Sequence, residues 1–222
     1  MNSSKKLYFQ FSASILFLIF AFLGYCIKFY PNTDIIVNFD NSLTNLIKYN
    51  TSSGMINFFK FVTTLGNPST ISIFAGTLII ILFLRKQYLE VVYALINTIV
   101  IAAGMNQILK FLFARPRPSG NHLVEASGYS FPSGHAMGSM LFYGTLAFIC
   151  FYYFRRKTLY KRLSLLLFIL PIFIGISRVY LGVHYPIDII AGWCCGLGWL
   201  LFSFPIYRQF RFKRDFQQIG KD

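Results

Sequence analysis

Long apolar stretches alternate with short polar segments along most of the chain. Several exceed the roughly 18 apolar residues that an α-helix needs to cross a bilayer. The pattern predicts an all-α, polytopic membrane protein with six transmembrane helices. The predicted spans are Leu7–Ile27, Ser69–Leu84, Tyr88–Phe113, His135–Phe154, Leu163–Leu181 and Ile187–Tyr207.

Residues 32–67 interrupt this pattern, because they are too polar to cross a bilayer and too apolar for a free linker. Helical spacing puts five apolar side chains on one face: Ile36, Phe39, Leu43, Leu46 and Ile47. A short apolar piece, MINFFKFVTTLG, follows. We expect two short amphipathic helices on the outer surface, the second dipping partway into the bilayer. Three roles remain open for these helices: covering a site, guiding a substrate, and simple interfacial packing.

Composition agrees with a membrane protein: 55% of residues are hydrophobic, 13% are charged, and the mean hydropathy is +0.56. The net charge of +14 is compatible with nucleic-acid binding, but the positions of the charges indicate topology instead. With a cytoplasmic N-terminus, fourteen of the 21 Lys and Arg residues fall on the inner side. They are Lys5, Lys6, Arg85, Lys86, Arg155, Arg156, Lys157, Lys161, Arg162, Arg208, Arg211, Lys213, Arg214 and Lys221. We therefore expect cytoplasmic termini and no nucleic-acid partner.

The chain has neither an internal repeat nor a low-complexity linker, so we predict one domain, residues 1–222. No small-residue cleavage site follows the first span, which favours an uncleaved anchor over a signal peptide. The four cysteines form no CxxC pair and are expected to pack between helices. Gly192 and Gly196 are spaced as GxxxG, which favours close helix contact or, as an alternative, a dimer interface.

Three polar clusters reach the outer ends of the predicted spans. They are KFLFARPRP with Lys110 and Arg117, FPSGH with Ser133, Gly134 and His135, and SRVYLGVHYPID with Arg178, His184 and Asp188. Ionisable residues at membrane depth are costly and are candidates for function. Three cations around two histidines and one carboxylate predict a site for an anion.

The residue types in these clusters suit phosphoryl transfer, in which positioning and charge stabilisation dominate catalysis. Lys110, Arg117 and Arg178 supply positive charge, and N–H groups at Ser133 and Gly134 begin a helix whose dipole favours an anion. Asp188 follows His184 by four residues, so it is expected to hold one ring nitrogen and leave the other free to attack phosphorus. His135 is then available to protonate the leaving oxygen.

Each cluster has a simpler interpretation by itself, as helix caps or as basic residues that flank a span. Their joint occurrence on one side favours the functional interpretation. For Arg115 we leave open contact with lipid headgroups, contact with phosphate, and snorkelling. His122 and Glu125 are expected to be solvated or adjacent to substrate. We expect interhelical hydrogen bonds from Asn97, Asn106 and Gln107.

The three clusters together resemble the type 2 phosphatidic acid phosphatase superfamily, whose pattern is K-x6-R-P, P-S-G-H and S-R-x5-H-x3-D. The match runs over about residues 60–205 and holds at every motif position, including Ser177 and Pro132. The resemblance implies a six-helix fold, a phosphohistidine on His184, His135 as the acid, and no metal ion or other cofactor. It also implies that the phosphate is held by Lys110, Arg117, Ser133, Gly134 and Arg178.

We therefore predict a phosphatase of lipid phosphates at the outer face of the cell membrane. The expected reaction converts phosphatidylglycerophosphate to phosphatidylglycerol, with phosphatidic acid and undecaprenyl pyrophosphate as alternative substrates. Rival hypotheses are a vanadate haloperoxidase, a metal hydrolase using His184 and Asp188, a serine protease using Ser133, and a non-catalytic lipid-phosphate binder or transporter. The sequence leaves the oligomeric state open.

Overall fold

The computed structural model describes residues 3–154 and 158–219, and most of them lie in helices. In chain order the helices are α1 (Ser3–Phe29), α2 (Asp34–Ile47), α3 (Ser53–Thr64), α4 (Pro68–Leu84), α5 (Tyr88–Leu95), a π-helical segment (Ile96–Met105), α6 (Asn106–Phe113), α7 (Gly134–Phe154), α8 (Thr158–Tyr180) and α9 (Pro186–Ile219). Four residues of the predicted inner segments, Arg155, Arg156, Lys157 and Lys221, lie outside the described residues.

Five helices in the described ranges are long and apolar enough to cross a membrane, and α3 with α4 forms a sixth span if this pair, bent by 44°, is counted as one. The prediction of an all-α, polytopic membrane protein is confirmed. Three predicted spans are clearly shorter than their helices, since α1 begins at Ser3, α8 begins at Thr158 and α9 continues to Ile219. Apolar patterning marks the part of a helix that faces lipid, whereas the backbone hydrogen bonding continues into the polar flanks.

Helix α7 lies at the centre of the bundle, against α8, α9 and the π-helical segment. Its contact with α9 is close because a side chain at Gly192 or Gly196 would meet the α7 backbone, at 2.9 Å from the Ser133 oxygen and 3.1 Å from the Met137 oxygen. Asn97 links three helices, donating to Thr145 at 2.7 Å and accepting from Trp199 at 2.8 Å. These contacts agree with the expected roles of the glycines and of Asn97.

One end of the bundle, where α6 and α8 end and α7 and α9 begin, is here termed the site end. Ala114 has a left-handed backbone (φ 49°) that terminates α6, and Pro116 and Pro118 prevent the helix from resuming. Gly182 (φ +80°) makes the turn between α8 and α9. Both loops thus return the chain to the same end, and α2 and α3 pack against it.

The amphipathic helix α2 exists as predicted, but its buried face differs from the predicted one. Ile36 is buried, whereas Phe39 and Leu46 are 43% and 71% exposed. The residue that takes the place of Phe39 on the inner face is Asp40, which is buried. The apolar pattern was wrong here because an ion pair, described below, offsets the burial of a carboxylate.

The opposite end of the bundle contains a buried carboxylate, Glu90, close to the start of α5. It accepts a hydrogen bond from Tyr207 at 2.7 Å and pairs with Arg211 of α9, and Arg214 lies 3.7 Å away. Glu90 precedes Lys110 by 20 residues of continuous helix, or about 30 Å at 1.5 Å per residue. This ion pair is therefore remote from the site end.

Candidate active site

His184 and Asp188 are joined through a third residue, Ser130. The Ser130 hydroxyl lies 3.1 Å from His184 Nδ1 and donates to Asp188 Oδ2 at 2.5 Å. The direct separation from His184 Nδ1 to Asp188 Oδ2 is 3.5 Å, which is too long for a strong hydrogen bond. All three side chains are buried, so no solvent competes for these contacts. The carboxylate therefore acts on the ring through the serine hydroxyl.

Arg117 favours one of the two neutral tautomers of His184. Its Nη1 lies 3.1 Å from His184 Nε2, and a guanidinium only donates. Nε2 must therefore accept, which leaves the proton on Nδ1, where it points to Ser130. The other donors of Arg117 bind the carbonyl oxygens of Ser127, Gly128 and Val183 at 2.7 to 3.0 Å. A lone pair on Nε2 thus faces a fixed cation.

Burial lowers the pKa of His184 to about 4, although Asp188 acts in the opposite direction and Arg117 adds to the shift. Burial also lowers the pKa of Arg117. The ring of His184 is consequently neutral near pH 7, the form in which its lone pair is available for attack.

The second oxygen of Asp188 belongs to a buried ion-pair chain. Arg115 donates to Asp188 Oδ1 at 2.7 Å and to Asp40 Oδ2 at 2.6 Å, and its guanidinium lies 4.0 Å from the centre of the Tyr185 ring. Asp40 also accepts from the backbone N–H of Ile187 at 3.0 Å. Helix α2 is thereby fixed to the first turn of α9, on which Asp188 lies.

These charges respond differently to burial. Burial opposes the charge of Arg115, but its two carboxylate partners outweigh burial and raise its pKa. Burial raises the pKa of Asp40, and the contact with Arg115 offsets only part of that shift. Asp40 is therefore a member of this ion-pair chain whose ionised form is disfavoured in the folded protein.

His135, in the first turn of α7, faces the same cavity as His184. Its Nε2 lies 2.9 Å from the side-chain oxygen of Asn67, the residue that precedes α4. Gly66 permits this approach, since a Cβ there would lie 3.1 Å from the His135 ring. The second histidine is thus held by a polar partner on a different helix.

Three cations surround the space between the histidines. Lys110 donates to the Tyr129 carbonyl at 2.5 Å, and Arg178 donates through Nη1 to Thr63 at 2.9 Å. Nε of Arg178 is buried and has no hydrogen-bond partner among the described residues. Together with Arg117, these side chains give the cavity a positive wall. A buried guanidinium with an unused donor suits an oxyanion.

The cavity has a volume of about 760 Å³ and extends away from the charged residues along α4 and the π-helical segment. Ile71, Ala102, Ala103 and Gly138 line this extension. The cavity lining therefore combines the histidines and cations with apolar residues, and Ser72 and Thr98 are polar residues of the same two segments.

Comparison with known proteins gives a consistent result. The sequence model of the PAP2 superfamily matches residues 87–212, more than half of the chain. The chain belongs to the PAP2 superfamily. The family and membrane-phosphatase class predicted from the three motifs are confirmed.

Named members of the PAP2 superfamily resemble this chain to different extents. The chain is 35% identical to phosphatidylglycerophosphatase B of Bacillus subtilis over 94 residues, which are 42% of this chain and 46% of that protein. It is 30% identical to an undecaprenyl-diphosphatase of Sulfolobus acidocaldarius over 85% of this chain and 87% of that protein. A crystal structure of a Bacillus subtilis PAP2-type phosphatidylglycerolphosphate phosphatase matches with a TM-score of 0.75 and 28% identity, covering 91% of this chain and 97% of that one.

The structure brings most of the predicted PAP2 site residues to one cavity. Lining it are Lys110, Arg117, Gly134, His135, Arg178 and His184. Asp188 lies behind His184, at the end of the hydrogen-bond chain. The Ser133 side chain is buried and accepts from the Ala136 N–H at 3.4 Å, so it caps α7.

Three residues of the site were missed from the sequence: Ser130, Asn67 and Asp40. Ser130 directly precedes FPSGH, but serine in a loop carries no distinctive signal. Asn67 has the appearance of a helix cap before Pro68, although its side chain makes no capping bond. For Asp40 a signal did exist, namely a charge between Ile36 and Leu43 on the apolar face of α2.

The alternatives left open for three other residues now have structural answers. Arg115 is buried between Asp40 and Asp188, so it neither snorkels nor lines the cavity. His122 contacts the Pro118 carbonyl at 2.9 Å and is exposed. Glu125 is exposed and is one of the residues that line the cavity, and its proximity to substrate stays a prediction.

Proposed function

We propose that this PAP2 protein removes a terminal phosphate from a membrane lipid by way of a phosphohistidine on His184. The observation that carries the proposal is the position of His184, which lines the cationic cavity with its Nε2 3.1 Å from Arg117. A nucleophile, a second histidine and three cations meet there, which is the set that phosphoryl transfer requires.

In the first step, Nε2 of His184 forms a bond to phosphorus while the bond from phosphorus to the lipid oxygen breaks. The electron pair of that bond stays with the lipid oxygen, and His135 donates a proton to it, in the protonated form that the negative charge of the bound phosphate favours. Lys110, Arg117 and Arg178 neutralise the charge on the three remaining phosphate oxygens. The products are a lipid alcohol and phosphorylated His184, whose positive charge is shared with Asp188 through Ser130.

In the second step, water attacks the phosphorus and gives a proton to His135. The bond from nitrogen to phosphorus breaks, the electron pair returns to Nε2, and inorganic phosphate leaves. Each group then has its starting protonation state, so the cycle closes.

The shape of the cavity supports a lipid substrate. Its apolar lining residues on α4 and the π-helical segment, Ile71, Ala102 and Ala103, offer a surface for hydrocarbon next to the phosphate site. We assign phosphatidylglycerophosphate as the substrate, because the protein of the 0.75 TM-score match and a 35% identical relative are both named for that activity. The lipid product is then phosphatidylglycerol.

Undecaprenyl diphosphate is the second candidate. The observation in its favour is coverage, since the Sulfolobus undecaprenyl-diphosphatase aligns with 85% of this chain. That alignment includes regions outside the shorter match to phosphatidylglycerophosphatase B. Phosphatidic acid is an alternative that carries the same terminal phosphate.

The orientation in the cell membrane follows from charge. Lys5, Lys6, Arg85 and Lys86, with the basic residues near the C-terminus, lie away from the site end. The positive-inside rule then puts both termini in the cytoplasm and the active site at the outer face. We treat residues 1–222 as one catalytic domain that needs no nucleic acid.

Two rival functions account for fewer of the contacts. A metal hydrolase would use the oxygens of Asp188 as ligands, but Arg115, Ser130 and the Tyr185 N–H already bind them. A non-catalytic binder or transporter would have no use for a neutral His184 directed at the anion site. The test below separates both from the proposal.

The test is phosphate release in detergent micelles with EDTA present. Phosphatidylglycerophosphate, phosphatidic acid and undecaprenyl diphosphate are each given to wild type, His184→Ala and His122→Ala. The last variant is a matched control, because His122 is an exposed histidine that does not line the cavity containing His135 and His184. We expect release by wild type and His122→Ala alone, fastest from phosphatidylglycerophosphate. Release by His184→Ala at the wild-type rate, or loss of release in EDTA, would contradict the proposal.

A further inference from the structure

Ser130 makes side-chain hydrogen bonds to both His184 and Asp188, and none of the three motifs includes it. It is completely buried and belongs to the loop before α7, with its backbone N–H donating to the Arg115 carbonyl at 2.8 Å. Its hydroxyl lies 3.1 Å from His184 Nδ1 and 2.5 Å from Asp188 Oδ2. The serine therefore lies between the nucleophile and its carboxylate.

Arg117 and Asp188, at the two ends of the hydrogen-bonded series that includes His184 and Ser130, fix the direction of each hydrogen bond in it. Arg117 can only donate, so His184 Nε2 accepts and Nδ1 carries the proton. Asp188 also accepts from Arg115 and from the Tyr185 N–H, which identifies it as the ionised, accepting end. The only arrangement that satisfies both ends has Nδ1–H donating to Ser130 Oγ and the serine hydroxyl donating to Asp188.

We propose that Ser130 is a positioning residue that holds His184 in the Nδ1–H tautomer and transmits the charge of Asp188 to the ring. Without its hydroxyl, the 3.5 Å gap from Nδ1 to Oδ2 leaves a buried N–H poorly satisfied. Only Arg117 then holds the tautomer, so the opposite form, which carries its proton on the attacking nitrogen, becomes more populated. The expected effect on kcat rests on the proposed function. The tautomer itself does not, because it follows from the contacts of His184.

The tautomer is measured directly on the full chain in detergent micelles. Histidine labelled with ¹⁵N in the ring gives a spectrum that is simple to assign, because the chain has only three histidines. His184→Gln identifies the His184 signals. We expect a neutral His184 protonated at Nδ1 near pH 7 in wild type, and a measurably weaker preference for that tautomer in Ser130→Ala, where only Arg117 still favours it. A proton on Nε2 in wild type would overturn the inference without any variant.

Kinetics separate positioning from a merely structural role. Ser130→Ala should lower kcat by roughly 100-fold, the effect of a small misplacement of a reacting group, with KM changed less than about 2-fold. Ser139→Ala is the control, since Ser139 is also fully buried but, among the described residues, its hydroxyl donates to the Ala136 carbonyl of its own helix and not to a site residue. It should keep wild-type kcat.

A double-mutant cycle with Asp188→Asn tests whether the serine and the carboxylate act as one unit. In the Asp188→Asn background, Ser130→Ala should slow the enzyme by less than about 2-fold, because the link is already broken. Losses that multiply, or a Ser130→Ala kcat equal to that of Ser139→Ala, would overturn the inference. A wild type inactive on every lipid would contradict the proposed function, and the tautomer result would still decide this inference.

Discussion

Replacing Arg115 by methionine tests the buried ion-pair chain beneath the active site. The change keeps a long side chain but removes the guanidinium that joins Asp40 and Asp188 at 2.6 and 2.7 Å. Both carboxylates stay buried, with at most 3% of either side chain exposed. Arg115→Met therefore leaves two buried acids without the cation that they share.

The magnitude follows from the type of bond that is lost. A hydrogen bond to a charged group contributes about 1.5 to 3 kcal/mol, and breaking one buried ion pair costs about 3 to 5 kcal/mol. Asp40 limits the loss, because burial has already raised its pKa and a proton can neutralise it. We expect the free energy of unfolding to fall by about 3 kcal/mol near pH 7.

The assay is unfolding from mixed detergent micelles by titration with a denaturing detergent, followed by the fluorescence of Trp193 and Trp199. Arg85→Met serves as the control, since Arg85 is exposed at the end of α4 and its loss should change stability by less than about 0.5 kcal/mol. Arg115→Met should also lower kcat, because Asp188 loses a contact that orients it. A stability within about 1 kcal/mol of wild type would refute the reasoning.

Asp40→Asn provides a graded comparison at the other end of the same chain. The raised pKa of Asp40 means that its ionised form is disfavoured in the folded state. Its stability contribution is full below the unfolded pKa near 3.8 and decreases as pH rises through the folded pKa. Asparagine has no ionisable carboxyl and so removes this pH-dependent contribution. We therefore expect Asp40→Asn to lower the free energy of unfolding clearly less than Arg115→Met does. An equal or larger cost would contradict this ranking.

Two further predictions concern pH and the remote end of the bundle. Because the pKa of His184 is lowered to about 4, the unfolded state binds more protons between pH 6.5 and 4, and stability should decrease as pH falls through that window. The pH slope of unfolding should be shallower in His184→Gln, and an unchanged slope would refute the assignment. Glu90→Gln removes the charge that pairs with Arg211 and should cost roughly 2 kcal/mol of stability. Since Glu90 is remote from the site, kcat of the folded protein should stay at the wild-type value, and a large fall in kcat would be inconsistent with this separation.

The fold was largely predictable because the bilayer simplifies the pattern. Tyr88–Phe113 was predicted with the bounds that the structure has, since long apolar runs leave few alternatives to a spanning helix. The tilt of α3 against α4 was not predictable, because a 44° bend depends on packing rather than on composition. The prediction that Phe39 lies on the inner face of α2 was wrong, because the ion pair between Asp40 and Arg115 places Asp40 there instead.

The site was predictable where residue types are rare in a membrane and not where they are common. Lys110, Arg178 and His184 are conspicuous because charged and titratable groups near lipid are energetically costly and are usually retained for function. Ser130 and Asn67 are ordinary loop residues, and only the folded geometry shows that they contact the two histidines. The spacing correctly predicted that Asp188 lies near the Nδ1 side of His184. It did not predict that the Ser130 hydroxyl links the two, because this depends on the conformation of the loop before α7.

The most direct test of the account is to trap the phosphoenzyme. Lipid labelled with ³²P at its terminal phosphate is mixed with the enzyme, and the reaction is stopped in alkali, where a phosphorus–nitrogen bond survives. Wild type and His122→Ala should carry label that is lost in acid, and peptide mapping should assign it to His184, while His184→Ala carries none. Label on another residue, or equal labelling of His184→Ala, would contradict the central claim that His184 is the nucleophile.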